Sequence, residues 1–235
     1  MAAFRYHADI LARYPSVVGG VILVQRLTNI STSADLLASY QAEQQKVLIR
    51  VGKTPLSEIE SLAAWRGAFR VFGIDPTQYR SAAEALLRRL TKQGSIPSIN
   101  TLVDIGNLVS IRYALPVAVF DTQAVQGPVT VHFADGSESF TPLGERAREH
   151  PEPGEVIFSD AGKMVLARRW CWRQSDESAA RGSTVKAIVT VEAHHAGGHT
   201  DVKAALDDLV GLLGHHAGGV MTSGVLDSST PALSD

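Results

Sequence analysis

"SIPSINTLVDIGNLV", Ser95 to Val109, is the stretch from which the rest of the chain is read. Pro97 and Ser98 open a helix, and Ile99, Leu102, Val103 and Val109 recur at helical spacing. Asn100, Asp104 and Asn107 stand at i, i+4 and i+7, which sets three short polar side chains in one stripe along an otherwise apolar helix. No Lys, Arg or Glu occurs between Ser95 and Ile111. A solvent-facing helix normally carries long charged side chains, so the stripe points to a wet but enclosed site. The competing reading is structural, because amides and short carboxylates of this kind most often bind nearby backbone.

Upstream, the pattern is mainly helical. Ser31 or Ser33 caps a helix running to about Val47. Thr54 and Pro55 open another that continues through Trp65 to Phe69, with Ser57 and Glu60 as a capping box. In "GIDPTQYRSAAEALLRRL", Asp75 is the expected N-cap and Pro76 the first helical residue; Tyr79, Ala83, Leu86, Leu87 and Leu90 form the apolar face, and Gly94 ends it. Earlier still, "VVGGVILV" (Val17 to Val24) reads as a covered strand and is far too short to span a bilayer.

Downstream, from about residue 128, the period becomes strand-like. "PVTVHF", the turn at Asp135 and Gly136, and "ESFT" read as a hairpin. "GEVIFSD", the turn at Ala161 and Gly162, and "KMVLARRW" read as another. "VKAIVTVE" supplies a further strand, and Thr200 caps a last helix through Leu213, closed by Gly214. Helices and strands without strict βαβ alternation predict an α+β fold: one mixed domain whose N-terminal helical part packs on a largely antiparallel or mixed sheet. The expected domain covers residues 1–213, with a motif-bearing core at 65–193. Residues 214–235, small, polar and without Lys or Arg, are expected to be a disordered tail.

With 235 residues and 45% hydrophobic content, burial of a sizeable core is not limiting. The net charge of −2 gives no long-range attraction to polyphosphate, so any RNA contact must be local, and DNA is not an expected partner. A single cysteine, Cys171, excludes an intramolecular disulfide framework and fits a reducing cytoplasm. "MAAFRYHADI" lacks a secretory apolar run, and nothing points to a membrane.

Phosphate-cradling loops and the GxSxG elbow are missing, which removes the main cues for nucleotide binding and for a serine hydrolase of that type. Cys171, between Trp170 and Trp172, reads as a small core residue rather than as a thiolate activated by Arg169 or Arg173. His194, His195 and His199 lie close together, but Gly197 and Gly198 argue against the helix that would align two imidazoles. They read as loop histidines, so no metal and no cofactor is expected. His215 and His216 read as ordinary helix-end residues. In "RRWCWRQS", strand alternation puts Arg168, Trp170, Trp172 and Gln174 on one face, suited to stacking a ring or base; a tryptophan pair covering a sheet is the alternative. Arg66, Arg70, Arg80, Arg88, Arg89 and Lys92 make a basic region, either a solvated face or an RNA-backbone contact.

The Ser95–Val109 helix, followed by "LPVAVFD" (Leu115 to Asp121) and later "STVKAIVTVEA" (Ser183 to Ala193), resembles the B3/B4 editing domain of the bacterial phenylalanyl-tRNA synthetase beta subunit. The family's "P-I-N-N-V-V-D-V-T-N-Y-V" is matched by Ile99, Asn100, Val103, Asp104, Asn107 and Val109, and its "Q-P-L-H-A-F-D" by Leu115 to Asp121. Thr184, Val191 and Glu192 fall where the family has "T…LE". The pattern across Trp65 to Ala193 is similar to free-standing members. One departure is Ala118, where the family has histidine.

That resemblance implies hydrolysis of the ester joining a wrong amino acid to the charged 3′ end of a tRNA, with water as nucleophile. Asn100, Asn107 and Thr184 are the implied positioners of water and carbonyl, and Glu192 and Asp104 the binders of the substrate's polar groups. Ala118, Asp121, Arg168, Trp170, Trp172 and Gln174 are expected to contact substrate. Two other classes remain open: a non-catalytic RNA- or ligand-binding module built on the same domain, and an unrelated hydrolase with metal in the histidine cluster.

Overall fold

The computed structural model of the chain describes residues 2–234. In chain order the elements are β1 (Ala2–Tyr6), α1 (Ala8–Arg13), β2 (Val18–Gln25), α2 (Ala34–Val51), a short 3₁₀ turn (Leu56–Glu58), α3 (Glu60–Val71), α4 (Ala82–Gln93) and α5 (Thr101–Tyr113). Then follow β3 (Val117–Asp121), β4 (Val129–Phe133), β5 (Val156–Ser159), β6 (Val165–Arg168), β7 (Arg173–Gln174), β8 (Lys186–Ala193), α6 (Gly198–His216), β9 (Val220–Leu226) and β10 (Ala232–Ser234). They form an α+β structure with two sheets.

One sheet is antiparallel, ordered β3-β8-β2-β9; the other is mixed, ordered β10-β1-β4-β5-β6-β7, with β1 parallel to β4. Three layers result, because the antiparallel sheet is covered on both faces. On β8, Ala187, Val189, Val191 and Ala193 belong to a core shared with α2, α4, α5 and α6. Ile188 joins a second core that includes Phe4, Phe120, Phe158 and Trp170 and lies between the sheets. A strand buried on both sides reads as a near-continuous apolar run, as "VVGGVILV" and "KAIVTVEA" do. Thr190 and Glu192 interrupt that run on the inter-sheet side.

Several expectations need correction. The C-terminal residues do not form a free tail: β9 pairs with β2 from Gly19↔Leu226 to Gln25↔Val220, and β10 pairs with β1. An antiparallel edge strand needs backbone partners rather than charge, so the lack of Lys and Arg carries no information about order here. β4 pairs with β5 rather than with "ESFT". The Asp135–Gly136 turn is instead held by the Glu138 carboxylate, which accepts from both backbone N–H groups at 3.0 Å. The helix expected from Asp75 begins at Ala82, capped by Ser81, whose hydroxyl accepts from Glu84 N. Asp75 closes a local turn on Thr77 N at 2.8 Å, so Tyr79 lies outside the helix. α3 starts at Glu60 without a side-chain cap, so the Ser57–Glu60 box does not form. The covered strand at β2, the β5–β6 hairpin and the αL terminus at Gly94 (φ 76°) are as expected.

Candidate functional site

On β8 the two-residue period carries Thr190 and Glu192 to the inter-sheet face, where a cavity of about 80 Å³ opens. Its walls include Ala118 and Phe120 of β3, Phe158, Trp170, Cys171, Trp172 and Gln174. Glu192 is 2% exposed. Its Oε1 accepts the Tyr6 hydroxyl at 2.5 Å and Trp170 Nε1–H at 3.0 Å, while Oε2 accepts from no protein group among the described residues. Burial raises this carboxyl to about 7; the two hydrogen bonds, which favour the charged form, offset only part of that effect. The same surroundings push the Tyr6 and Cys171 protons on more firmly, in both cases chiefly through burial.

Two local features make this geometry possible. Gly19 faces Glu192 across the β2–β8 ladder, and a Cβ there would stand 2.2 Å from the Tyr6 hydroxyl. Only glycine leaves room for that hydroxyl to reach the carboxylate. The second feature is a kink in "RRWCWRQS". Arg169 (φ 45°) and Trp170 (φ 62°) are both left-handed, a conformation costing a non-glycine residue about 1–2 kcal/mol. It is held by Arg169 N donating to Glu155 Oε1 at 2.9 Å and Trp170 N to Val156 O at 2.6 Å. The kink turns the Trp170 indole inward to Glu192.

It also breaks the alternation expected for this run. Trp170, Trp172 and Gln174 still line the cavity with Ala118 and Glu192, but Arg168 does not. Its guanidinium is buried against Glu155 (3.0 and 2.9 Å) and Glu149 (2.7 Å). Gln174 is fixed by donating to Val119 O and Ser178 O, each at 2.8 Å. Arg169 packs its guanidinium over Tyr79 and Trp172, 4.0 and 4.5 Å from the ring centroids.

The polar stripe of α5 does not converge on Glu192. Asn100 is the N-cap itself, outside the helix: its Oδ1 accepts Val103 N–H at 3.1 Å and its Nδ2 donates to Ala180 O at 3.1 Å. Asp104 is fully buried, taking Ile99 N–H at 2.9 Å, the Thr32 hydroxyl at 2.6 Å and the Ser98 hydroxyl. Thr184 bonds Asp121, whose other oxygen accepts Gln123 N–H at 2.8 Å. Asn107 alone reaches a hollow, one of about 320 Å³ between α5 and the opposite face of β3, bounded by Val103, Leu143 and Arg181. In the basic region, Arg66 and Arg80 turn to Glu84 (2.7 and 3.7 Å), whereas Arg70, Arg88, Arg89 and Lys92 are exposed.

Of the histidines, His194 is boxed by Trp65 and Trp170, with ring centroids 4.5 and 4.8 Å away, and burial lowers it to about 3. His195 Nε2 contacts Asp201 at 2.8 Å, and His199 is exposed. Among the described residues these three imidazoles do not form a group of metal donors. Tyr6 and Thr190 were not found from the sequence. Strand alternation in "VKAIVTVE" pairs Thr190 with Glu192, but Tyr6 lies 186 residues away and gives no local signal.

A family model described as the B3/4 domain matches residues 64–213. The phenylalanine–tRNA ligase beta subunit of Neisseria meningitidis serogroup A is 28% identical over 127 residues, 54% of this chain and 16% of that protein. The same subunit of Streptomyces avermitilis is 33% identical over 125 residues, 53% of this chain and 14% of that protein. An N-terminal fragment of the phenylalanyl-tRNA synthetase beta subunit from Pyrococcus horikoshii aligns over 93% of this chain and 50% of that one, with 13% identity and a TM-score of 0.47. The chain thus matches less than a fifth of the length of these curated relatives. Since the family match runs from within α3 through most of α6 and takes in Glu192 with every residue lining its cavity, the chain belongs to the B3/4 domain family.

Proposed function

We propose that this protein hydrolyses the ester between an amino acid and the 3′-terminal ribose of a tRNA, with Glu192 as general base. The supporting observation is a carboxyl raised to about 7 that keeps one oxygen free of protein donors in a sheltered cavity. A base is most effective when its pKa lies near the working pH. Glu192 takes a proton from water as the water oxygen bonds to the ester carbonyl carbon. The tetrahedral intermediate then expels the ribose oxygen, which recovers that proton from Glu192. Thr190, which lines the same cavity, would donate to the carbonyl oxygen as charge develops.

No covalent intermediate is required. The Cys171 thiol, beside Glu192, is driven away from its nucleophilic thiolate form. Ala82, the first residue of α4, borders the cavity, and Arg88 to Lys92 lie about 9–15 Å further along that helix. They would meet the RNA backbone beyond the acylated end.

A non-catalytic tRNA- or ligand-binding module is the second reading. It is favoured by Ala118, which leaves the cavity wall without the hydrogen-bonding side chain of the family pattern. Following ester loss from a panel of mischarged tRNAs separates the two. Turnover that falls about 10²- to 10⁴-fold in Glu192→Gln, with tRNA binding within threefold, supports deacylation. Binding without turnover of any charged tRNA supports the module, and unaltered turnover in Glu192→Gln removes the assigned base.

A further inference from the structure

Two helix ends meet far from the cavity. His215 and His216 occupy the last turn of α6, and Asp35 the first turn of α2. Nε2 of His215 lies 3.7 Å and Nδ1 of His216 3.8 Å from Asp35 Oδ2, and the three donor atoms fall within 4.8 Å of one another.

We propose that Asp35, His215 and His216 form a divalent transition-metal site joining α2 to α6. Ligand bonds of about 2.0–2.1 Å in a tetrahedral zinc site put donors roughly 3.3–3.4 Å apart, so the two approaches to Asp35 would shorten by a few tenths of an ångström, and the two imidazole nitrogens would close from a separation within 4.8 Å. Two imidazoles and a carboxylate suit Zn²⁺ or Co²⁺ rather than Ca²⁺ or Mg²⁺, which prefer all-oxygen shells. The His216 side chain is 10% exposed and set by the fold, while those of His215 (72%) and Asp35 (63%) face solvent. Carbonyls of the last turn of α6 add partial negative charge. Ser33 Oγ, 3.5 Å from His216 Nδ1, is placed to bond a ligand or a metal-bound water.

An ion here would pin the loop between β2 and α2. That loop clamps the start of α5 through Thr32 on Asp104 (2.6 Å) and Asn29 on Leu102 N (3.1 Å). The site is therefore structural in kind and independent of the hydrolytic reading.

Untagged protein, stripped with chelator and dialysed, is titrated with Zn²⁺ by calorimetry and with Co²⁺ by visible absorption. One equivalent of metal, a tetrahedral Co²⁺ spectrum and a metal-dependent rise in Tm are expected. The Asp35→Asn/His215→Ala double variant alters two exposed side chains, and its fold is checked by circular dichroism. It should lose affinity by about 10- to 100-fold or more. Absence of binding in the parent protein overturns the proposal, as does equal binding by the variant, which would direct attention to His195 and His199.

Discussion

The cavity between the sheets and the hollow under α5 lie on opposite faces of the same edge strand, β3, and share Val117 and Gln174. Both sides contain buried acidic groups, but their circumstances differ. On the helix side Asp104 accepts three protein hydrogen bonds, and Asp121 of β3 accepts two. Between the sheets Glu192 accepts two on one oxygen and turns the other to open space. A carboxylate whose lone pairs are spent on the fold is a structural part; one with a free oxygen, held near neutrality by burial, has chemistry left to perform. The same distinction applies to arginines: Arg168 is consumed by Glu155 and Glu149, while Arg88 faces solvent.

The sharpest challenge to this contrast is Arg168→Ala. It strands Glu155 without its buried partner and should cost about 3–5 kcal/mol in urea denaturation. A loss below 1 kcal/mol would show that the pair is not structural. Glu192→Gln should act in the opposite direction. Its carboxyl rises from 4.5 to about 7 on folding, so the native state holds the proton more tightly and loses stability as pH climbs from 4.5 to 7. The variant escapes that penalty. Its advantage over the parent should be absent below pH 4.5 and reach about 3 kcal/mol above pH 7, which melts at pH 4, 6 and 8 would reveal.

Smaller effects test the two faces directly. Thr190→Val keeps the shape and deletes the hydroxyl of this cavity-lining residue, and single-turnover rates should fall roughly 10- to 100-fold with stability changed by less than about 1 kcal/mol. Asn100→Ala removes a helix cap and should cost about 1 kcal/mol by chemical denaturation, with hydrolysis by the folded protein within threefold of the parent. A large rate defect in Asn100→Ala with intact stability would move the site to the helix side.

What the sequence revealed depended on the range of the interaction. The covered strand at Val17 to Val24, the β5–β6 hairpin and the grouping of Glu192 with Ala118, Trp170, Trp172 and Gln174 all followed from local period or from the resemblance. The α5 stripe misled because Asn100 sits one residue outside the helix, so its side chain caps the backbone. Arg168 was misplaced because two left-handed residues interrupt a run that composition reads as a continuous strand. The Tyr6 contact, the pairing of β9 and the approach of Asp35 to His215 join residues far apart in the chain, and no local pattern encodes them.

The pH dependence of ester hydrolysis under single-turnover conditions, measured with whichever mischarged tRNA is the best substrate, tests the role of Glu192 most directly. The rate should rise about tenfold per unit below a midpoint near 7 and level above it, and Glu192→Gln should abolish that dependence along with most of the rate. A parent profile without that midpoint, or a Glu192→Gln variant that keeps it, would contradict the assignment of the buried carboxylate as the base.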